Sequence, residues 1–466
     1  MPHTKKPREH AVVIGGSLAG LLTARILTDH FDRVTLIERD RFPESNEFRP
    51  GVPQSRHLHV LWTKGLEIIE DLFPGIEAEL LASGVPELGI PKDLLWLTSA
   101  GWRRRFDVTR MLTFSRPMLD WTIRQRLTPR LTVLPHHEVT GLIPAGSGDR
   151  RKDVAGVEVR EAGTNGASEP IRADLVVDAT GRTSRAPEWL SLLGYPLPKE
   201  TKVDPLLGYT SRYYTIPDGF DPGWQALYLQ AEAPHSKRTG GLFPQEGGRW
   251  ICSLSGAGRD YAPTSEDGFL DFAKGLRDPV LYDAIRAAKP LTPITSFRRT
   301  ANHRRHYEKL PAWPEGFIAV GDSVCAFNPI YGQGMSVAAL QAVILDGLLS
   351  GDPTGMTRTF QRRAKRCGSG AWLVATGEDF RYPETEGSPI RPHNRIINRY
   401  VDRVVAAANV DEHVCAALLD VLALKQEPPS LFRPTVLRRV LLNRTPQPAS
   451  PANLLPVTAP LQPTRR

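Results

Sequence analysis

Residues 10–38 read HAVVIGGSLAGLLTARILTDHFDRVTLIE, and the pattern of this stretch decides the fold class. His10 to Ile14 is a short, valine-rich apolar run, the pattern of a strand buried on both faces of a parallel sheet. The glycine-rich turn Gly15-Gly16-Ser17-Leu18-Ala19-Gly20 follows, and helical spacing runs from Leu21 to Asp29. Val34 to Ile37 reads as a second buried strand, ending at Glu38. A strand, a crossover helix and a parallel strand make a βαβ unit. Such a turn suits a dinucleotide pyrophosphate, which needs a tight bend, a close backbone and a helix N-terminus aimed at it. Gly15 permits the bend and Gly20 lets the helix pack on the strand. Ser17 stands where a second glycine is usual, and its small hydroxyl can itself bond a phosphate oxygen. Glu38, roughly twenty residues beyond the turn, is placed to hold ribose hydroxyls. Its charge disfavours a 2′-phosphate, so FAD or NAD is expected here rather than NADP.

Working outward, Phe48 to Gln54 reads as a loop and a helix is expected from about Arg56 to Leu72. Residues 94–106 read as two short strands around Ala100-Gly101, and Leu119 to Leu127 as a helix. Leu175 to Val177 is another buried strand, running into Asp178-Ala179-Thr180-Gly181. From 200 to 295 the texture changes to short strands with many aromatic residues, which predicts a separate antiparallel sheet. Phe317 to Val320 returns to the buried-strand pattern before Gly321-Asp322, and a long helix is expected from near Gly334.

The chain has 466 residues and a formal charge of +8, much of it in arginine clusters such as Arg103-Arg104-Arg105. No helix-turn-helix, RNP-type or zinc-finger pattern accompanies that charge, so nucleic acid is not an expected partner. An anionic cofactor and loose membrane contact are better outlets for it. Arg433, Arg438 and Arg439 stand beside Leu431, Phe432 and Val440 to Leu442. That segment reads either as a helix packed on the body or as one lying on an anionic membrane. No run reaches the length of a membrane span, and no apolar h-region follows MPHTKKPREH. The four cysteines are scattered, without metal-type spacing. A cytoplasmic protein without a metal, at most peripheral to the membrane, is the expectation.

Residues 317–335, FIAVGDSVCAFNPIYGQGM, resemble the Gly-Asp motif and following helix of the para-hydroxybenzoate hydroxylase-like flavoprotein monooxygenases. The resemblance implies FAD, with Gly321-Asp322 at its ribityl chain and the helix after Pro329 facing the flavin ring through Gly332, Gly334 and Met335. Reduced flavin carries negative charge near N1 and O2, which free N–H groups and a helix dipole stabilise. In the same family an arginine opening a helix, here Arg116 in Ser115-Arg-Pro-Met-Leu-Asp120, contacts the cofactor. So does the strand end matched by Asp178 to Gly181, although the family's Asp-Gly is replaced here and the role of Asp178 stays open. Arg39, beside Glu38, and Arg56, near the flavin ring, complete the cofactor set. The motifs fall in the family's order over residues 8 to 350.

The implied fold is α/β: a Rossmann-like FAD-binding domain of glutathione-reductase type with an inserted antiparallel-sheet substrate domain and a C-terminal helical region. The expected division gives 8–80, 107–199 and 296–350 to the FAD-binding domain. It gives 81–106 and 200–295 to the substrate domain, 351–443 to the helical region and 444–466 to a disordered tail.

Gly51 to Trp62, Ala100 to Phe106, Asn302 to Tyr307 and Phe327 to Gly332 are similar to bacterial flavin epoxidases of polyether-antibiotic pathways, of the monensin and lasalocid type. This implies a monooxygenase that transfers one oxygen of O2 through a flavin C4a-hydroperoxide, epoxidising an alkene of an apolar polyketide or terpenoid. Aromatic hydroxylation and reduction of a prenyl chain are the alternatives. The halogenase WxWxIP signature is absent; the Trp372 region reads GAWLVA. No catalytic side chain is named, because epoxidation needs no strong protein base. Tyr213, Phe243 and Trp250 are the candidates for the substrate pocket, with plain core packing as the other reading. His57 and His59 are expected to be structural, unless one approaches the flavin. No second GxGxxG unit marks an NADPH domain, so electrons come from NAD(P)H directly or through a flavin reductase.

Overall fold

The strand His10–Ile14 is the centre of a five-stranded parallel sheet, whose order is Phe317–Ala319, Leu175–Asp178, His10–Ile14, Arg33–Glu38, Thr132–Pro135. The chain leaves this central strand toward one side and returns on the other, which opens a crevice at its C-terminal end. Successive residues face opposite layers. Ala11, Val13, Leu36 and Val177 pack under the helices Leu18–Leu27, Arg116–Leu127 and Gly334–Leu349. Val12, Ile14, Ile37 and Val176 pack on a layer that includes Val157, Trp189, Tyr307 and Trp313. The computed structural model describes residues 8–146, 153–352, 354–387, 394–448 and 450–451.

A second, seven-stranded sheet has the order Thr295–Phe297, Gly208–Thr215, Arg249–Gly256, Arg238–Gln245, Ala226–Leu229, Leu94–Thr98, Gly101–Trp102. Its pairings are antiparallel except one: Ala226–Leu229 runs parallel to Leu94–Thr98. One face carries Leu242, Trp250, Cys252 and Leu254 against the helices Glu266–Lys274 and Val280–Arg286. The other face carries Tyr213, Phe243 and Ile251 into a core shared with Val404, Ala407, Val414, Leu418 and Val440 of the C-terminal helices. Those helices therefore complete the core under this sheet.

The helix expected from Arg56 begins only at Thr63 and ends at Leu72. Pro53–Arg56 forms a single 3-10 turn, and the chain then runs without helix to Trp62 because its polar groups bond the second sheet instead: Leu58 N–H donates to Ser253 Oγ at 3.0 Å. Of the tail expected to be disordered from 444, residues 452–466 lie outside the described residues. Gln447 is tied down, its amide donating to the carbonyl of Ala406 at 2.9 Å. Among the described residues no helix is long and apolar enough to cross a membrane.

Candidate active site

The crevice turn is built from backbone that tolerates no side chain. Gly15 has φ +102, and a Cβ there would lie 2.7 Å from the carbonyl oxygen of Ala179. A Cβ on Gly20 would lie 1.8 Å from the carbonyl oxygen of Gly15. Ser17 caps the helix Leu18–Leu27 in extended conformation but makes no side-chain cap bond, so its hydroxyl is not spent on the first turn. The first N–H groups of a helix have no partner within it. Glu38, buried at the end of the next strand, accepts from Gly16 N–H at 2.8 Å and Asp40 N–H at 3.0 Å. Arg49 pairs with both Glu38 (3.0 Å) and Asp40 (3.1 Å) and donates to the carbonyl of Gly16 at 3.0 Å. Arg49 thus ties the glycine turn to the end of the strand Arg33–Glu38. Sequence reasoning placed it in a loop and gave it no role.

The opposite wall brings further expected residues together. Arg116 is buried, donating to Ser17 Oγ at 2.9 Å and to Asp120 Oδ1 at 2.8 Å. Gly181, at φ +78, donates its N–H to Ser323 Oγ at 2.9 Å, and a Cβ on it would come within 3.9 Å of Asp322. Gly321, at φ +59, donates to Gln341 Oε1 at 2.6 Å. Asp322 keeps 40% of its side-chain surface open to water, with Arg182 Nε 3.6 Å from its carboxylate. Burial pushes its carboxyl upward, opposed by Arg182, Arg116 and Arg305. Asp178 is placed differently. Both of its oxygens are engaged inside its own turn, Oδ1 by Thr180 and Oδ2 by Ser184.

The third element is the turn before the helix Gly334–Leu349. Asn328 caps the 3-10 turn Pro329–Tyr331 by accepting from Ile330 N–H at 3.2 Å, and Gly332 reverses the chain at φ +64. Trp62 Nε1 donates to the carbonyl of Tyr331 at 3.0 Å. The long helix has no side-chain cap, and a Cβ on Gly334 would meet nothing within 4 Å. Met335 is buried behind it. Ser336 Oγ and Gln333 Oε1 are buried without a hydrogen-bond partner.

Pro329, Ile330, Tyr331 and Gly332 also form one end of a pocket whose walls include Val60, Trp62, Trp96, Tyr228 and Phe243. Among the described residues its polar side chains are hydroxyls and the indoles of Trp62 and Trp96, and none is charged. Phe243 lines it. Tyr213 lies in the core on the same face of the sheet, with Arg249 over its ring at 4.5 Å. Trp250 is on the opposite face, T-shaped against Phe220 at 4.9 Å, because facing positions alternate along a strand. Arg39 is exposed beyond Glu38, and Arg56 is exposed with its guanidinium 4.6 Å from the Phe48 ring centroid. His57 is buried and bonds Ser211 Oγ at 2.8 Å; burial, then His59 and Arg56, lower its pKa to about 3. His59 bonds the carbonyl of His57 at 2.9 Å, and burial with Arg116 lowers it to about 4. Both rings are therefore neutral near pH 7.

These features fit a flavin dinucleotide. The glycine turn packs tightly on its own backbone, the start of the helix at Gly334 leaves open space, two helix N-termini carry no side-chain cap, and the Asp322 carboxylate is partly open to water. The FAD binding domain family matches residues 8–351, well over half the chain. The chain belongs to that family. It is also similar to protein Rv3254 of Mycobacterium tuberculosis, 33% identical over 419 residues that cover 87% of each chain. Among solved structures, the flavin-dependent brominase Bmp2 shares the fold with a TM-score of 0.64 at 16% identity, over 92% of this chain and 98% of that one. PqsL, a probable FAD-dependent monooxygenase from Pseudomonas aeruginosa, gives 0.59 at 14%, over 81% and 98%. The anhydrotetracycline hydroxylase OxyS from Streptomyces rimosus gives 0.58 at 13%, over 90% and 76%. As an FAD-binding family member, the chain is a flavin-dependent oxidoreductase. The family match stops at 351, yet Asp379, beyond it, bonds the turn at Asn328. No local pattern in the sequence marks Asp379, since its partners are distant along the chain.

Proposed function

We propose that this protein is an FAD-dependent monooxygenase that adds one oxygen atom of O2 to an alkene or aromatic carbon of an apolar small molecule. The observation that carries the reading is the pocket without charged lining that ends on the turn Pro329–Gly332. One turn thus borders both the cofactor cradle and an apolar chamber. When bound, the flavin supplies the redox chemistry and the activation of O2.

The protein's part is binding, orientation and exclusion of water. Gly15, Ser17, Gly20 and Arg116 receive the pyrophosphate, with the helix Leu18–Leu27 pointing its N-terminus at it. Glu38, steadied by Arg49, holds the ribose hydroxyls, and Arg39 borders the same end. Asp322 bonds the ribityl chain, with Gly181 and Gly321 supplying the positive-φ turns beside it, while Asp178 braces the turn that carries Gly181. The N–H groups at Gly334 and Met335 face the ring edge where charge accumulates on reduction. Arg56, exposed at the rim, is where an incoming nicotinamide would meet a cation. Phe243, Trp96 and Tyr228 hold the substrate; the strands of residues 81–106 and 200–295 act as a substrate domain over the FAD-binding segments. Epoxidation of a polyketide or terpenoid alkene is the specific reaction favoured, since among the described residues none lining the pocket is a carboxylate or histidine that would deprotonate a phenol.

The test is to load the protein with FAD, reduce it without oxygen, then add isotopically labelled O2 and an apolar polyene. One labelled oxygen in the product supports the reading, and fragmentation separates epoxide from hydroxyl. A saturated product would replace it with a reductase, and a halogenated product in the presence of bromide with a halogenase.

A further inference from the structure

Beneath the turn Asn328–Gly332 lies a buried carboxylate with a built set of donors. Asp379 is the last residue of the helix Ser369–Asp379 and is 1% exposed. Its Oδ2 accepts from Asn302 Nδ2 at 2.6 Å; its Oδ1 accepts from Asn328 Nδ2 at 2.9 Å and from the Tyr331 hydroxyl at 3.1 Å. Neither amide is free to turn over. Asn302 Oδ1 accepts from Asn328 N–H at 2.8 Å, and Asn328 Oδ1 accepts from Ile330 N–H. Both asparagines must therefore present N–H to Asp379, and the site accepts only a group with two acceptor oxygens.

Three donors favour the ionised form, while burial favours the neutral one. The other groups facing Asp379 are Glu378 on its own helix, paired with Arg381, and the hydroxyls of Tyr209 and Tyr382 from neighbouring elements. Arg182 donates to the carbonyls of Ala301 and Phe327, one residue before each asparagine, so its charge is engaged with the same two segments. Burial is the largest influence and raises the Asp379 carboxyl to about 7, with the three donors pulling downward and Glu378 adding to the rise. After the helix, the chain is pinned by Thr385, whose hydroxyl donates to the Asp379 carbonyl, and by the pairing of Glu386 with Asp204.

We propose that Asp379 is the positioning residue of the cofactor-facing turn: its ionised carboxylate holds Asn328 and Tyr331, and through them Gly332 and Gly334, in the arrangement that receives the flavin. Neutralising it releases Tyr331 and loosens that grip. Because Tyr331 also lines the pocket, one carboxylate from outside the matched family domain braces both sites. The inference rests on the FAD-binding role proposed above for this turn.

The test measures the dissociation constant of FAD from the full-length protein between pH 5.5 and 8.5 by quenching of flavin fluorescence, for the native chain, Asp379→Asn and Tyr331→Phe. Circular dichroism checks each fold. The native protein is expected to bind FAD more tightly as pH rises through about 7, losing up to about tenfold per pH unit below that midpoint. Asp379→Asn places an N–H₂ against a donor and is expected to bind weakly, without that pH dependence. Tyr331→Phe removes one donor from the carboxylate, so its midpoint is expected to move upward. A folded Asp379→Asn protein that keeps the native pH profile would overturn the proposal, as would an unmoved midpoint in Tyr331→Phe. The latter decides the matter alone if Asp379→Asn does not fold. FAD binding with no pH dependence in the native protein defeats this proposal only; no FAD binding at any pH defeats the functional reading and this inference with it.

Discussion

At the scale of single residues, two glycines separate space needed by the fold from space reserved for a ligand. A Cβ at Gly20 would collide with the backbone of Gly15, which cannot move without opening the sheet. Gly20→Ala is therefore expected to lower the melting temperature by several degrees and abolish FAD binding together. Gly334 has open space around its would-be Cβ and is the first residue of its helix, where alanine gains only part of the roughly 1 kcal/mol it has over glycine in a helix interior. Gly334→Ala is expected to leave the ligand-free protein as stable as before or slightly more so, while weakening FAD binding at least about tenfold if the ring lies against that turn. Equal FAD affinity in this variant would remove the helix start from the cofactor site. Arg49 makes the complementary case. Its side chain and those of Glu38 and Asp40 are 8%, 9% and 10% exposed, so Arg49→Ala leaves two buried carboxylates without a cation, held only by backbone N–H groups. The expected cost is about 3–5 kcal/mol by chemical denaturation, more than an exposed ion pair such as Lys92–Asp107 would register.

At the scale of elements, the period of a strand decides which aromatic residues touch substrate. Phe243 pairs with Ile251, and Pro244 with Trp250, so the two aromatics lie on opposite faces of neighbouring strands. Trp250→Ala is expected to cost about 3–5 kcal/mol in stability with little change in KM for a turned-over substrate. Phe243→Ala is expected to cost a similar amount of stability, about 3–5 kcal/mol, but also to change KM or the position of oxygenation. The reverse split would mean that the working pocket lies on the other face. The same contrast explains what could be read from residues alone. The turns at Gly15, Gly20, Gly332 and Gly334 were legible because local geometry there excludes other side chains or needs an open helix start. The helix from Arg56 was overextended, since only the sheet's Ser253 and Ser211 reveal why His57 and Leu58 stay extended. Arg49 and Asp379 left no local signal because everything they hold lies on other elements.

At the scale of the whole molecule, the family-matched segment and the chain beyond it share one core, and each carries buried groups on which pH acts. Val404, Ala407, Val414 and Val440 pack with Trp96, Phe243 and Tyr213 under the pocket sheet. A chain ended at residue 351 is thus expected to expose that face, bind a hydrophobic dye and lose its cooperative unfolding transition. A cooperative truncated protein would mean that the helices are accessory. The pH dependence follows from groups whose folded pKa departs from the ordinary value. His57 and His59 are held neutral in the fold, with pKa lowered from 6.5 to about 3 and about 4. Their stability is complete above pH 6.5, and it drains away as the pH falls from there through about 4 and about 3, because the unfolded chain binds those protons first. Asp379 has the opposite sign. Its folded pKa is raised from 3.8 to about 7, so its contribution is complete below pH 3.8 and is lost as the pH rises through about 7. Between pH 4 and 6.5 these groups act against each other, with His10 and His306 on the side of the two histidines and Glu315, Asp322 and Glu378 on the side of Asp379. The contribution of one histidine is read by removing it. His57→Gln, which keeps a neutral group that bonds Ser211, removes one of the two histidines and is expected to flatten the slope. Urea midpoints of both proteins at pH 4.5, 5.5 and 7 check this: an unchanged slope would mean that His57 is protonated in the folded state and exchanges its bond to Ser211 for one the structure does not contain.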